Sequence, residues 1–278
     1  MRSVAWRKAL GGWVILTVLF LYVPIAVVVA YAFNANEDNV TVWAGFTTEW
    51  FGTVLADEQA RGAVLTSLRI AAVNAVIAMI LGTLAAVGLR FAPRWLRLGF
   101  DTLAYLTLVT PVVVLGISTL IAFVIAGIPR GATTILLVHV VFNSSIVFLI
   151  VRARLVGLTH SEEEAAMDLG AHRWSTFAQV TVPRLAPAIV AGGLLAFTYS
   201  WDDYVIASFI NGPETKTLPI YIFSQLRFGV SPEVNVLATI TLAVTVLALL
   251  ATLLVLRRAL PRGDISQITP IAMERSES

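Results

Sequence analysis

Of the 278 residues, 58% are hydrophobic and 13% charged, and the mean hydropathy is +0.85; a soluble domain carries about a quarter charged residues, so this composition belongs in a bilayer. The 19 Lys and Arg against 17 Asp and Glu leave a net charge of +2, which excludes a polyanion-binding basic protein and an acidic disordered one, and no nucleic-acid partner is expected. The absence of cysteine excludes disulfides, thiolate nucleophiles and Cys-ligated metal, and neither lysine, Lys8 or Lys216, follows a glycine, so the chain has no Walker A loop and ATP-driven work requires a partner subunit.

Apolar runs of about 20 residues, the length that crosses a ~30 Å hydrocarbon core, recur six times and predict an all-α, polytopic membrane protein that is one transmembrane domain over 1–278. The first run is 14–33. Arg2, Arg7 and Lys8 ahead of it, with Ala30-Tyr31-Ala32 at its end, also fit a cleavable signal peptide. The run is longer than the roughly 7 to 15 residues of a signal's apolar region and Pro24 interrupts it, so a retained span is the expectation. The following segment, 34–62, sets Glu37, Asp38, Glu49, Asp57 and Glu58 among Trp43, Phe46, Trp50 and Phe51. It reads as an interfacial anchor in preference to a ligand site.

The second span is 63–89, with Arg69 near its outer end where a long side chain snorkels, the third 103–126 and the fourth 132–151. A loop, 152–187, precedes the fifth span, 188–210, and the sixth is 235–256. With the amino terminus inside, the cytoplasmic segments hold Arg2, Arg7, Lys8, Arg90, Arg94, Arg97, Arg152, Arg154, Arg173, Arg184, Arg257, Arg258, Arg262 and Arg275; Arg61, Arg130, Lys216 and Arg227 lie outside. That asymmetry places both termini in the cytoplasm.

In the 152–187 loop, Ser161-Glu162-Glu163-Glu164 matches a capping box and predicts a short helix ending at Gly170, a residue suited to the left-handed position past a helix end. A second helical stretch, 174–180, places Trp174, Phe177 and Ala178 on one face and is expected to stop at Val182-Pro183, with Pro187 opening the next span. On local physics this is either a solvated connector or an exposed two-helix platform. The spacing favours the platform: Glu164-Ala165-Ala166, three residues, Gly170, nine residues, then Val180-Thr181-Val182-Pro183 resembles the EAA loop of binding-protein-dependent ABC importer permeases, whose pattern ends Ile-x-Leu-Pro. The departures are valine at the Ile and Leu positions. The resemblance implies that Glu164, Ala165, Ala166, Gly170, Val180, Val182 and Pro183 couple the spans to a cytoplasmic ATPase dimer, and that the other partners are a second permease and an extracytoplasmic substrate-binding protein. ATP and Mg would then belong to the ATPase, with no cofactor in this chain.

The fifth span carries Tyr199-Ser200-Trp201-Asp202-Asp203-Tyr204. A charged aspartate costs ~3 kcal/mol at mid-helix on insertion scales, and less toward the interface, so a partner, water or a bound cation is expected there. Tyr199, Trp201 and Tyr204 offer π-faces to an ammonium group beside the carboxylates; the structural alternative is that the aspartates cap a broken helix and the aromatics mark the interface. Ser200-Trp201-Asp202-Asp203-Tyr204-Val205-Ile206 is similar to a Ser-Phe-Asp-Asp-Phe-Val-Ile stretch of spermidine/putrescine-type permeases, as are Thr217-Leu218-Pro219-Ile220-Tyr221 and Ser231-Pro232-Glu233-Val234-Asn235. Trp201 and Tyr204 replace phenylalanines.

Among the other intramembrane polar residues, Asn74, Ser144 and Ser145 are expected to join helices and His139 to pair with Asn143 one turn on. No His-x-x-x-His pair supports a metal, and Gly116-Ile117-Ser118-Thr119-Leu120 lacks the second glycine of a nucleophile elbow. The expectation is a permease subunit of an ABC importer in a prokaryotic inner membrane, moving a polyamine or similar amine and holding no enzyme site. The rival is an ion- or proton-coupled carrier relaying through Asp202 and Asp203, which the lack of a clear internal repeat disfavours.

Overall fold

The computed structural model describes residues 2–36, 42–158 and 161–259. Its helices, in chain order, are α1 Arg2–Tyr31, α2 Glu49–Ala56, α3 Glu58–Gly88, α4 Arg94–Val109, α5 Val112–Ile125, α6 Ala132–Val156, α7 Ser161–Asp168, α8 Arg173–Thr176, a π-turn Phe177–Thr181, α9 Val182–Trp201, α10 Val205–Ile210, α11 Leu218–Leu226 and α12 Pro232–Ala259. Among the described residues there is no strand, only an isolated bridge between Asn34 and Phe46. Among the described residues five helices are long and apolar enough to cross a membrane unbroken, and α4 with α5 makes a sixth only as a pair bent by 107°.

That bend falls inside the expected third span, 103–126. Pro111 has no N–H to donate and pushes the residue before it out of the helical region; Thr110 is accordingly extended, at φ −65° and ψ 129°. The expected fifth span, 188–210, is also divided, because α9 ends at Trp201 and α10 begins at Val205. Pro24, by contrast, is carried within the continuous α1.

The described residues form two units, one from the chain up to Leu68 with Gly212–Val244, the other from Arg69–Asn211 with the chain from Thr245 on. In the first unit, α1 has an apolar window of which nothing is buried, as suits a helix surrounded by lipid or a partner. After α1 the chain is organised by Asn34, which is fully buried. Its Nδ2 donates to the Val42 carbonyl (2.9 Å), its Oδ1 accepts from the Ala44 N–H (2.9 Å), and its own carbonyl accepts from Trp50 Nε1 (2.8 Å). Phe33 stacks on Phe46 and packs against Phe51, with centroids 5.2 and 5.0 Å apart. The aromatics of the expected interfacial segment thus close a small fold of their own; Glu37 and Asp38 lie outside the described residues.

In the second unit α6 packs along α9 and against α4, and α5 against α10. The core alternates large and small residues, with Val147, Phe148 and Leu185 against Ala78, Ala86 and Ala196. Lipid is as apolar as leucine, so such contacts depend on close approach and not on hydrophobic burial. Gly82 shows how close: a Cβ there would lie 2.7 Å from the Val147 Cβ and 2.8 Å from the Phe148 nitrogen.

Candidate functional site

Helix α7 starts at Ser161, where the sequence leads one to expect a helix start, and closes in a Schellman turn. The Ala171 N–H donates to Ala166 O (3.0 Å), the Gly170 N–H to Met167 O (2.9 Å), and Gly170 takes φ +88°. A Cβ is disfavoured at that angle, which accounts for glycine at this position. Trp174 and Phe177 then meet edge to face at 6.2 Å. The expected stop at Val182-Pro183 does not occur. The π-turn lets the Val182 N–H reach back to Phe177 O, and α9 runs on through Pro183 and Pro187. Such a turn absorbs prolines that would break a regular helix. Of the residues expected to couple, Glu164, Ala165, Gly170 and Pro183 are exposed, and Ala166, Val180 and Val182 are half-buried.

No residue of α7 is buried, so polar contacts hold it. Arg90, just past α3, donates from both terminal nitrogens to the two Glu163 oxygens at 3.1 and 3.0 Å, and Thr181 Oγ1 donates to the same carboxylate at 2.8 Å. Arg184 pairs with Glu162 at 3.1 Å. Arg152 of α6 donates to Asp101 of α4 at 2.6 Å. None of these partners is legible in sequence, since Arg90 and Glu163 lie 73 positions apart.

The second candidate site is the break between α9 and α10. Asp203 accepts from the N–H groups of Ile206 (3.3 Å) and Ala207 (2.9 Å) and from His139 Nε2 (3.2 Å), while His139 Nδ1 lies 2.8 Å from Ser200 Oγ. In the tautomer with Nε2 protonated, His139 donates to this carboxylate. His139 is 3% exposed and stands seven residues into α6, about 10 Å from its start at 1.5 Å per residue. Asp202 is exposed and ends α9, its N–H bonded to Thr198 O (3.3 Å). Tyr199 is exposed with its ring edge-on to Phe142, and Tyr204 is half-buried. Trp201 is only 1% exposed and stacks on Phe197 at 6.2 Å, so its ring serves the core. The expected His139–Asn143 pair is replaced by longer-range ones: Asn143 donates to Asn74 Oδ1 (3.3 Å) and Asn74 to Ala196 O (2.9 Å), which joins α6, α3 and α9. Both ring nitrogens of His139 are taken by residues 61 and 64 positions away, which periodicity cannot reveal.

In the first unit a cavity of about 460 Å³ is lined by Asp57, Tyr221, Gln225, Phe228 and Glu233 among others. The Tyr221 hydroxyl donates to Asp57 Oδ2 (2.7 Å) and accepts from Gln225 Nε2 (2.9 Å). The tyrosine's hydrogen bond holds the Asp57 carboxyl below its ordinary pKa, and burial, with the bond to Asp57, pushes the Tyr221 phenol up to about 12.

Residues 78–263 match the family described as binding-protein-dependent transport system inner membrane component. The chain is 46% identical over 244 residues to the putrescine transport system permease protein PotI of Escherichia coli (strain K12), covering 85% of each. It is 35% identical over 254 residues to the spermidine/putrescine transport system permease protein PotC of the same strain, covering 90% of this chain and 95% of that one. In fold it is similar to a bacterial ABC transporter involved in import of the acidic polysaccharide alginate, with TM-score 0.68 at 16% identity over 93% of this chain and 96% of that one. It is also similar to the inward-facing MetNI methionine ABC transporter, with TM-score 0.60 at 14% identity over 78% of this chain and 100% of that one. The chain belongs to the family of binding-protein-dependent transport system inner membrane components. It is an importer permease, and the ion-coupled carrier gives way to that reading.

Proposed function

We propose that this chain is one of two permease subunits of an importer for putrescine or a closely related short amine. The observation that carries the substrate is the adjacent pair Asp202 and Asp203 at the break between α9 and α10, within the expected fifth span, 188–210, in a chain 46% identical to a putrescine permease. A carboxylate at that depth is costly unless it meets water, a partner or a cation, and a diammonium solute supplies the cation. Tyr199, exposed, and Tyr204, half-buried, neighbour the pair in sequence and are the candidate π-faces for an ammonium group, while Trp201 is packed into the core.

In this reading α4 and α5 together form the third of six spans, and both termini lie in the cytoplasm on the evidence of the arginine distribution. The 161–183 platform docks on a cytoplasmic ATPase dimer, which binds ATP and Mg, and an extracytoplasmic binding protein delivers the solute. Glu164, Ala165 and Gly170 offer the exposed surface for docking; Ala166, Val180, Val182 and Pro183 connect it to α9. Closure of the dimer would displace α7 and repack the spans between two accessible states, with this chain itself performing no bond chemistry.

The test is uptake of labelled putrescine and spermidine by the assembled importer in sealed vesicles, with ATP present or absent and with ion gradients collapsed. ATP-dependent uptake that survives collapse is the expected result. Uptake driven by the gradient alone would overturn the proposal.

A further inference from the structure

We infer that Glu163, through Arg90, is the positioning residue that makes the α7 lever drive α3 as well as α9. The inference rests on the coupling role proposed for the 161–183 platform.

Three consecutive glutamates open α7, and helical geometry sends them in three directions about 100° apart. Glu164 points to the exposed surface, where a docking partner reaches it. Glu162 and Glu163 are tied to the rest of the second unit by different amounts. The Glu162 side chain is 58% exposed, so its pair with Arg184 is screened and weak. The Glu163 and Arg90 side chains are 17% and 18% exposed, and their two parallel hydrogen bonds have the bidentate geometry that fixes orientation as well as distance.

The two routes out of α7 differ in kind. Toward α9 the route is covalent and short, through the Gly170 turn, α8 and the π-turn. Toward α3 no covalent link is near; the chain passes through α4, α5 and α6 before it reaches α7. The Arg90 N–H bonds to Val87 O (3.1 Å), so its backbone forms the turn that directly follows α3 and is tied to that helix's end. With no α7 residue buried, apolar packing does not fix the lever against that turn. The guanidinium–carboxylate pair does, and Thr181 Oγ1 holds the same carboxylate from the π-turn. One carboxylate therefore links the lever, the end of α3 and the root of α9. Without it, movement of α7 reaches α9 and leaves α3 behind.

The chain has no cysteine of its own, so introduced cysteines are its only labelling sites, and any cysteines of the partner subunits are replaced before labelling. Phe91 and Leu169, 83% and 91% exposed, are sites for Phe91→Cys and Leu169→Cys spin labels on the end of α3 and the end of α7. In the complete importer, the distance between labels is measured nucleotide-free and after trapping with ATP and vanadate. With the pair intact, one narrow distance is expected to persist in both states. With Arg90→Ala or Glu163→Ala, the distribution should broaden and shift on trapping. Putrescine moved per ATP should fall at least fivefold in each single variant, and no further in the double than in the worse single. Arg90→Lys, which keeps the charge and loses the fork, should shift by an intermediate amount and serves if the alanine variants fail to assemble. A distance that changes on trapping with the pair intact, stays fixed without it, or is unaffected by Arg90→Lys overturns the inference. Unchanged transport per ATP in the single variants, or losses that multiply in the double, does the same. If the wild-type importer ignores putrescine the substrate reading fails, while the label distances still decide the role of Glu163.

Discussion

Asp203→Ala removes one carboxylate and strands three donors. The Ile206 and Ala207 N–H groups lie on residues 4% and 0% exposed, and His139, whose Nε2 supplies the third, is 3% exposed. A buried donor without a partner costs about 1–3 kcal/mol, so three cost about 3–6 kcal/mol once some relaxation is allowed, enough to remove much of a typical domain's stability. Asp203→Asn keeps an acceptor oxygen and should cost about 1–2 kcal/mol, and Asp202→Asn, at an exposed carboxylate, about 0–0.5 kcal/mol. The order of loss is then alanine at 203, asparagine at 203, asparagine at 202. Unfolding of the purified subunit in detergent can be followed by tryptophan emission in a background where the other six of the seven tryptophans are replaced by phenylalanine, because Trp201, 1% exposed and two residues from Asp203, then reports the packing of the break. A midpoint and emission maximum for Asp203→Ala indistinguishable from wild type would refute the argument that this carboxylate holds the break together. So would Asp202→Asn proving the more damaging to stability.

Glu164→Ala should lower ATP hydrolysis stimulated by the loaded binding protein several-fold at normal membrane abundance, because its side chain is exposed and its loss opens no buried contact. Gly82→Leu should abolish accumulation of the subunit, since even a Cβ would enter Val147 and the Phe148 backbone, and overpacking typically costs about 1–3 kcal/mol or more; immunoblotting of membranes checks it. The Asp57–Tyr221 bond should show two pH limits. The depressed Asp57 pKa stabilises the fold above that residue's unfolded value, and the gain is lost as pH falls through the lower folded value. The raised Tyr221 pKa stabilises below the unfolded value, about 10, and the gain is lost as pH rises toward about 12. Tyr221→Phe should therefore narrow the stability difference at both extremes and cost about 1 kcal/mol between them, measured as the pH profile of the melting midpoint.

Each long helix overlaps an expected apolar run, with ends that depart from it, α1 starting at Arg2 where 14 was expected and α6 ending at Val156 where 151 was expected. What run length hides is a break inside an apolar run. Hydropathy does not register that Pro111 removes a donor, so 103–126 reads as one span when the chain turns by 107°. Asp203 is similar: the aspartates are conspicuous, yet whether they cap a break or stand in a helix depends on N–H groups three and four residues on. The π-turn errs the other way, as Val182-Pro183 looks like a stop and a change of hydrogen-bond register carries the helix through. Local motifs were legible because their chemistry is local, as at Ser161 and Gly170. Arg90 with Glu163, and His139 with Ser200 and Asp203, were not, because partners 61 to 73 positions apart meet only through tertiary packing.

The two acidic runs resolve in the same way. In each, one carboxylate is bonded inward and its neighbour is exposed: Glu163 against Glu164, Asp203 against Asp202. Adjacent positions diverge in direction, so one side chain can fix geometry while the next stays available to a partner or solute. For the aspartates this separates two measurements. The Asp203 charge is already matched to three donors, so neutralising it should act first on folding and assembly. Asp202 has no side-chain partner among the described residues, so its charge is the one left to attract an ammonium group in a poorly screened setting, where a unit charge matters by kcal/mol amounts. Asp202→Asn is expected to slow uptake of putrescine per assembled complex by tenfold or more, while Asp203→Asn lowers the number of complexes and changes uptake per complex less. Scintillation counting of vesicle uptake, normalised to permease by quantitative immunoblot, gives both numbers. Unchanged uptake per complex in Asp202→Asn would remove the amine-path role from that residue and leave the pair as a device for ending one helix and starting the next.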